Sequence, residues 1–491
     1  MTQPDPTTTT TKARPALEYQ PRPSLPRRRG LLASLRAQPD ADVKLTDAAE
    51  VDRAYRYWRF RILATTLVGY ALFYFVRTNI SVALPRMGRD LGYTKAQLGV
   101  ILTIGGVVYG ISKFANGILG DLSNPRYFMA IGLLVSAAMN VLFGLSSALV
   151  FLGAFWFLNN WAQGMGFPPC ARSMGHWFSP KERGTTFGIW HTGHMIGAAL
   201  VSVLTSYLVV YDWRLCFFVP AGLAVLGAIM IVFGLRDHPG SMGLPPVEVY
   251  RGEETPREVN EEIQPERPYR EILVQYVFCN PFLWVISVAN FFVYTLRYAG
   301  LHWGPTQLQE MKGMSPQASG WVLFGFEIAG LVSAIVGGLL ADRLFRGRAG
   351  RVCFLSCLVL TAAVYLFWIT AHPWLASFFF ILMGFTIYVP QMLIAAMAMN
   401  LGTKRASAAA VGLTGILGYL SSILSGYGVG KIVDLYNWDG AFYMLLGCAG
   451  VTALLMLTTW NVGAHPQAPA EARGFEVGPA GKPAEPELAA K

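Results

Sequence analysis

The sequence predicts an all-α membrane protein with twelve transmembrane helices in two pseudo-symmetric six-helix halves. Three observations predict it. First, of 491 residues 53% are hydrophobic and only 14% charged, whereas a soluble chain carries about 25% charged residues. Second, apolar stretches recur along the chain, each near the ~20 residues that a membrane-spanning helix needs. Third, a polar pattern repeats. Tyr70, Tyr74 and Arg77 stand at i, i+4 and i+7, one face of a helix; Asn290, Tyr294 and Arg297 repeat that spacing 220 positions later.

The elements follow in order. Residues 1–57 are polar and rich in Pro and Thr, which reads as a disordered tail without a cleavable signal peptide. The first half, 58–236, holds spans at 62–84, 98–119, 127–147, 149–170, 185–208 and 214–235. A polar linker rich in Glu, Arg and Pro covers 237–281. The second half, 282–463, holds spans at 282–303, 320–341, 352–371, 374–399, 407–430 and 440–462, and 464–491 form a second disordered tail. The connections echo each other too. GILGDLSNPR (117–126) resembles GGLLADRLFRGR (337–348), which puts Asp121 and Asp342 in equivalent places. A duplicated six-helix unit explains both repeats, and transporters built from such parallel halves hold substrate near the bilayer midplane.

Positive charge near span ends marks the cytoplasmic side. The first tail carries Arg27, Arg28, Arg29, Arg53, Arg56, Arg59 and Arg61; Lys181 and Arg183, then Arg343, Arg346, Arg348 and Arg351, then Lys404 and Arg405 follow on the same side. Both termini are therefore expected in the cytoplasm, with the bundle in the inner (plasma) membrane. The loop after span 1, with Arg86, Arg89 and Lys95, is an exception.

The net charge of +10 does not mean nucleic-acid binding, because the basic residues edge apolar spans rather than line one soluble face. Six cysteines are scattered. Cys353 and Cys357 are one turn apart, but no His or Cys completes a metal set. No nucleophile–base set, nucleotide-binding loop or sizeable soluble domain points to an enzyme or a cofactor.

The conspicuous residue is Arg77, in the apolar run ALFYFVRTNI. A central arginine costs at least about 2.5–3.5 kcal/mol on insertion scales. Its pseudo-equivalent is Arg297, and in a two-half transporter the pair would face each other. Two cations repel; an anion between them removes the repulsion and accepts bidentate hydrogen bonds. Phosphate and carboxylate both fit, and a doubly charged phosphate fits two guanidiniums better. Lys113, in YGISKF, either adds to the positive field or snorkels to the interface. Glu327, in FGFEIAG, either pairs with Arg297 or Lys113 or carries a proton. WHTGH places His191 and His194 within one turn, with His194 the candidate ligand or proton carrier. Tyr70, Tyr74, Tyr294, Tyr388, Tyr419, Trp161 and Trp190 are candidates to line the cavity. Asp121, Asp342, Arg343 and Arg346 sit at span ends, where charge pairs would latch the halves.

YFVRTN, YGISKF, QGMGFPPCARSMGHWFSPKERG, RGTTFGIWHTGHMIGA, LRYAGLHW and YVPQML together resemble the organophosphate:phosphate antiporters of the major facilitator superfamily, over about residues 57–463. The resemblance implies the major facilitator fold and exchange of a phosphate ester against inorganic phosphate, by a monomer that rocks between inward and outward states. By motif match it implies Arg77 and Arg297 as phosphate ligands, with Lys113, His194, Tyr70, Tyr74 and Tyr294 around them. Departures occur at His191 and Met195, and at Thr78 and His302, where glycerol-3-phosphate transporters carry a lysine and an aspartate. Val411 and Thr414 replace the Asp and Lys of hexose-phosphate transporters. The organic part of the substrate thus stays open, and a phosphate-ester sensor or a proton-coupled carrier of another anion remain as alternative functions.

Overall fold

The spans end where turn chemistry tells them to, and the two halves use the same chemistry. In this computed structural model, which describes residues 35–43, 45–253, 274–401 and 406–461, span 1 stops at Gly92 (φ 69°) and span 7 at Gly313 (φ 63°). Both are left-handed caps that favour glycine. Thr94 then caps span 2 in a capping box with Gln97, and Ser315 caps span 8 ahead of Pro316. The duplication therefore extends to the corners. Lys404, Arg405, most of the two expected tails and the centre of the expected linker lie outside the described residues.

Among the described residues, ten helices or helix pairs are long and apolar enough to cross a membrane. Span 4 is missed by that measure because it breaks into Leu149–Gln163 and Phe167–Trp177 around the Gly164 and Gly166 region. Spans 11 and 12 run together through Val429–Thr458 and are parted by a kink at Tyr436 and Asn437. Resolved this way, twelve spans stand in the described residues, as the sequence predicts. Span 11 begins with Ser407–Leu420, and the other nine are Ala48–Phe75 with Ile80–Leu91, Lys95–Leu122, Pro125–Leu145, Pro180–Leu208, Leu215–Gly234, Pro281–Lys312, Pro316–Leu339, Ala349–Ile369 and Pro373–Leu401.

Two expected boundaries are crossed by ordered structure. Span 1 starts at Ala48, inside the expected tail, because Asp47 accepts from the Ala49 and Glu50 amides and caps the helix there. Residues 237–253, assigned to the linker, are instead seated on the first half. Asp237 is fully buried and paired with Arg172 at 2.9 Å, and the Gln38 amide donates to it at 2.6 Å. Tyr55 stacks on Tyr250 with ring centroids 4.0 Å apart.

Span 1 is also not continuous. It breaks at Val76–Asn79, around Arg77. A helix break inside a membrane frees carbonyls that must find donors in the protein. Here Asn140 and Asn159, from spans 3 and 4, each donate to the Val76 carbonyl at 2.9 Å. Asn79 donates to Asn140 Oδ1 at 2.8 Å and to the Cys216 carbonyl at 2.9 Å. All three asparagines are buried.

The halves are tied together at one end only. Call the end that holds the 35–48 segment and residues 459–461 the terminal end. At the other end Lys95 pairs with Glu310 at 3.1 Å. Asp434 accepts from the Lys95 and Ala96 amides at 3.1 and 2.7 Å, a carboxylate on the N-terminus of span 2. Thr103 donates to the Ser422 carbonyl at 2.9 Å, and Ser202 to the Gly320 carbonyl at 3.1 Å. Two of the three anomalous cations after span 1 thus have structural roles: Lys95 here, and Arg86, which donates to the Val209 and Val210 carbonyls at 2.6 Å each. At the terminal end no hydrogen bond or ion pair joins the halves among the described residues.

Candidate functional site

The break in span 1 puts Arg77 where its guanidinium faces rings. It lies 3.5 Å from the centroid of Tyr109 and 5.3 Å from that of Tyr74. Among the described residues no carboxylate forms an ion pair with it.

Arg297 sits in an unbroken helix and is 4% exposed. Its Nη2 donates to the Tyr388 hydroxyl at 3.1 Å, and that hydroxyl donates to Glu327 Oε2 at 2.7 Å. Glu327 therefore reaches Arg297 through Tyr388 rather than as a direct ion pair. Burial leaves two atoms of this chain without partners, Arg297 Nε and Glu327 Oε1.

Rings join the two arginines. Tyr109 packs on Tyr419 at 5.1 Å, Tyr419 on Tyr294 at 5.7 Å and Tyr294 on Tyr298 at 5.6 Å. Arg297 lies 5.5 Å from the Tyr298 ring and 6.0 Å from the Tyr294 ring. His194 packs against the Tyr74 ring that faces Arg77, and His302 against the Tyr298 ring that faces Arg297. The two pseudo-equivalent spans thus converge on one shared set of side chains, built from both halves.

The other predicted residues flank this set. Lys113 Nζ lies 4.3 Å from the Phe167 ring and 5.8 Å from that of Tyr419, between the halves. Tyr70 packs on Tyr74 at 5.6 Å and on Trp190 at 4.8 Å. His194 packs on Tyr74 at 5.3 Å, and its Nδ1 meets the His191 carbonyl at 2.5 Å. A carbonyl only accepts, so Nδ1 carries a proton and Nε2 is the nitrogen free for a ligand. Thr78 donates to the Tyr74 carbonyl at 3.0 Å, within its own helix end. His302 stacks on Tyr298 at 5.3 Å. Trp161 is 39% exposed and shares no ring contact with this set among the described residues.

The structure adds Tyr109 and Tyr298, which the sequence reading did not single out. Both had a signal: Tyr109 is one turn before Lys113, and Tyr298 follows Arg297 directly. Asp121, Asp342 and Arg343, the expected latch, lie exposed at the terminal end and form no ion pair among the described residues.

A cationic cluster between two six-helix halves now has its comparison. The sequence profile of the Major Facilitator Superfamily matches residues 66–426. The chain is 39% identical over 437 residues to the probable hexose phosphate transport protein of Chlamydia pneumoniae, covering 86% of this chain and 96% of that one. It belongs to the organophosphate:phosphate antiporter family of that superfamily. This family member is also 38% identical to the glycerol-3-phosphate transporter of Bacillus subtilis (strain 168), over 87% of its own length and 98% of the relative's. To the membrane sensor protein UhpC of Salmonella typhimurium it is 37% identical, over 90% and 99%. Its fold is similar to that of a bacterial homologue of the human lysosomal transporter Spinster, with a TM-score of 0.63, 16% identity and coverage of 82% and 94%.

Proposed function

We propose that the protein exchanges a small organophosphate for inorganic phosphate by alternating access. One observation carries the reading. Arg77 and Arg297 converge on shared tyrosines beside Lys113, and the one buried acid near them, Glu327, is spent through Tyr388. Three cations against one carboxylate leave a site that an anion with two negative charges completes. The names of the relatives, transporters of hexose phosphate and of glycerol-3-phosphate, support a phosphate ester as that anion.

In this mechanism the halves, tied at the end opposite the termini, open first at the terminal end, taken as cytoplasmic from the Lys and Arg bias. Phosphate draws Arg77 and Arg297 together. The halves 58–236 and 282–463 then rock, the ties at Lys95 and Thr103 part, and Asp121, Asp342 and Arg343 close the terminal end. The empty carrier keeps its cations apart and moves poorly, which favours exchange over net flux.

The test is counterflow. Liposomes loaded with phosphate take up labelled phosphate, and glycerol-3-phosphate, glucose-6-phosphate and phosphoglycerate compete in turn. Competable uptake is expected; rapid net flux without a counter-substrate would overturn exchange. A second reading, a sensor of a phosphate ester, rests on the likeness to UhpC. It is favoured by retained binding with no flux.

A further inference from the structure

The transport reading leaves a second cationic cluster unused. It lies at the terminal end of the first half, where the start of span 1, the start of span 3 and the end of span 6 meet. Arg61 and Arg236 both donate to the Phe233 carbonyl, at 3.1 and 3.3 Å. Their guanidiniums lie 5.4 and 4.7 Å from the ring centroid of Trp58. Arg126 completes the group. Burial, together with the charges of Arg126 and Arg61, holds Arg236 below its ordinary arginine value. The Nε of Arg126 is itself buried without a partner.

Nothing in the surroundings neutralises these charges. Among the described residues none of the three arginines forms an ion pair. The acid next in sequence, Asp237, is fully buried and held by Arg172 at 2.9 Å. The C-terminus of span 6 supplies about half a negative charge against three positive ones. Arginines at span ends do set topology, but that role does not require two guanidiniums gathered about one indole with a third beside them. The flank is apolar and open: Phe60 is 76% exposed, Leu134 43% and Phe233 61%. A small soluble anion would leave that flank uncovered.

We propose that Arg61, Arg126, Arg236 and Trp58 bind the headgroup of an anionic phospholipid, with its acyl chains along the exposed flank of spans 1, 3 and 6. The phosphate sits between the guanidiniums, which offer several donors to its oxygens. The indole sits at headgroup depth, where tryptophan is favoured. A basic cluster where spans meet near the membrane surface is the kind of site that takes such headgroups. This site is independent of the transport site and stands or falls separately from it.

Native mass spectrometry of the full chain, from micelles with equal phosphatidylglycerol and phosphatidylcholine, tests it. The protein is expected to retain phosphatidylglycerol preferentially. Arg126→Gln and Arg236→Gln should each lower that preference about fivefold, and the triple variant with Arg61→Gln should abolish it. Should the triple variant not fold, the single variants decide. An unchanged preference in both would overturn the proposal. Retention of added inorganic phosphate instead of lipid, lost in the same variants, would overturn it too and assign the cluster to a free anion.

Discussion

Arg77 and Arg297 are related by the duplication, yet the protein holds them in opposite ways. Arg297 lies in a continuous helix and is tied to Glu327 through Tyr388. Arg77 lies in a helix break, against ring faces, with no ion pair to an acid among the described residues. The first half fixes backbone around its arginine and leaves the charge free. The second half fixes the charge and leaves the backbone regular. One arginine is thus the anchored partner and the other the uncompensated one that an anion must satisfy.

Lysine at each position should separate these roles. Arg77→Lys keeps charge against the rings but loses the planar fork. Phosphate counterflow is expected to fall about a hundredfold, the worth of one strong charge-assisted bond, with little change in thermal stability. Arg297→Lys is expected to lose transport as fully and also to lower the melting temperature, since Tyr388 and Glu327 lose a buried partner. Equal melting temperatures for the two variants would erase the distinction.

The hydroxyls should differ next. Tyr388→Phe strands both Arg297 Nη2 and Glu327 Oε2 and is expected to destabilise the protein by about 1–3 kcal/mol. Tyr109→Phe keeps the ring face on which Arg77 lies, so a smaller loss is expected. Thermal unfolding of the two variants in the same detergent measures the difference.

Much of this was legible in the sequence, and the reason is chemical. A charge inside an apolar run stands out whatever the fold, so Arg77, Lys113, Arg297 and Glu327 could be picked without coordinates. The 220-residue echo supplied the two halves. The break at 76–79 was not legible: YFVRTNI contains no Pro or Gly, and its freed carbonyl is satisfied by Asn140 and Asn159 from other spans. That is tertiary information. The i, i+4, i+7 face drawn through Tyr70, Tyr74 and Arg77 assumed a continuous helix, whereas the helix ends at Phe75 with its cap at Val76, before Arg77. The role of Tyr388 as the bridge to Glu327 likewise depends on contacts across spans 7, 8 and 10.

The asparagine brace gives a test confined to one half. Asn140 donates to the Val76 and Ser136 carbonyls at 2.9 Å each and accepts from Asn79. Its counterpart 220 positions on is Leu360, an ordinary buried core residue. Asn140→Ala is expected to cost about 1–2 kcal/mol for the unsatisfied groups and to weaken phosphate binding by misplacing Arg77. Asn140→Leu, which makes the first half like the second, should restore packing but not binding. If it restores both, the break does not serve Arg77.

The smallest effect concerns what brings the two arginines' halves apart. Lys95 and Glu310 are part-exposed, with side chains 27% and 39% accessible, so their pair is worth about 0.2–1 kcal/mol. Lys95→Gln should therefore shift the balance of states by about 1.4- to fivefold toward opening at the end opposite the termini. A cysteine placed at Thr103, inside that seam, reads the shift as faster labelling by a reagent applied from that side. Added phosphate should change the labelling rate in the parent and in Lys95→Gln alike, because the seam is a tie between states and not a ligand. If phosphate acts on the parent but not on Lys95→Gln, Lys95 belongs to the substrate path, and the contrast between an anchored and a free arginine no longer accounts for all of the binding.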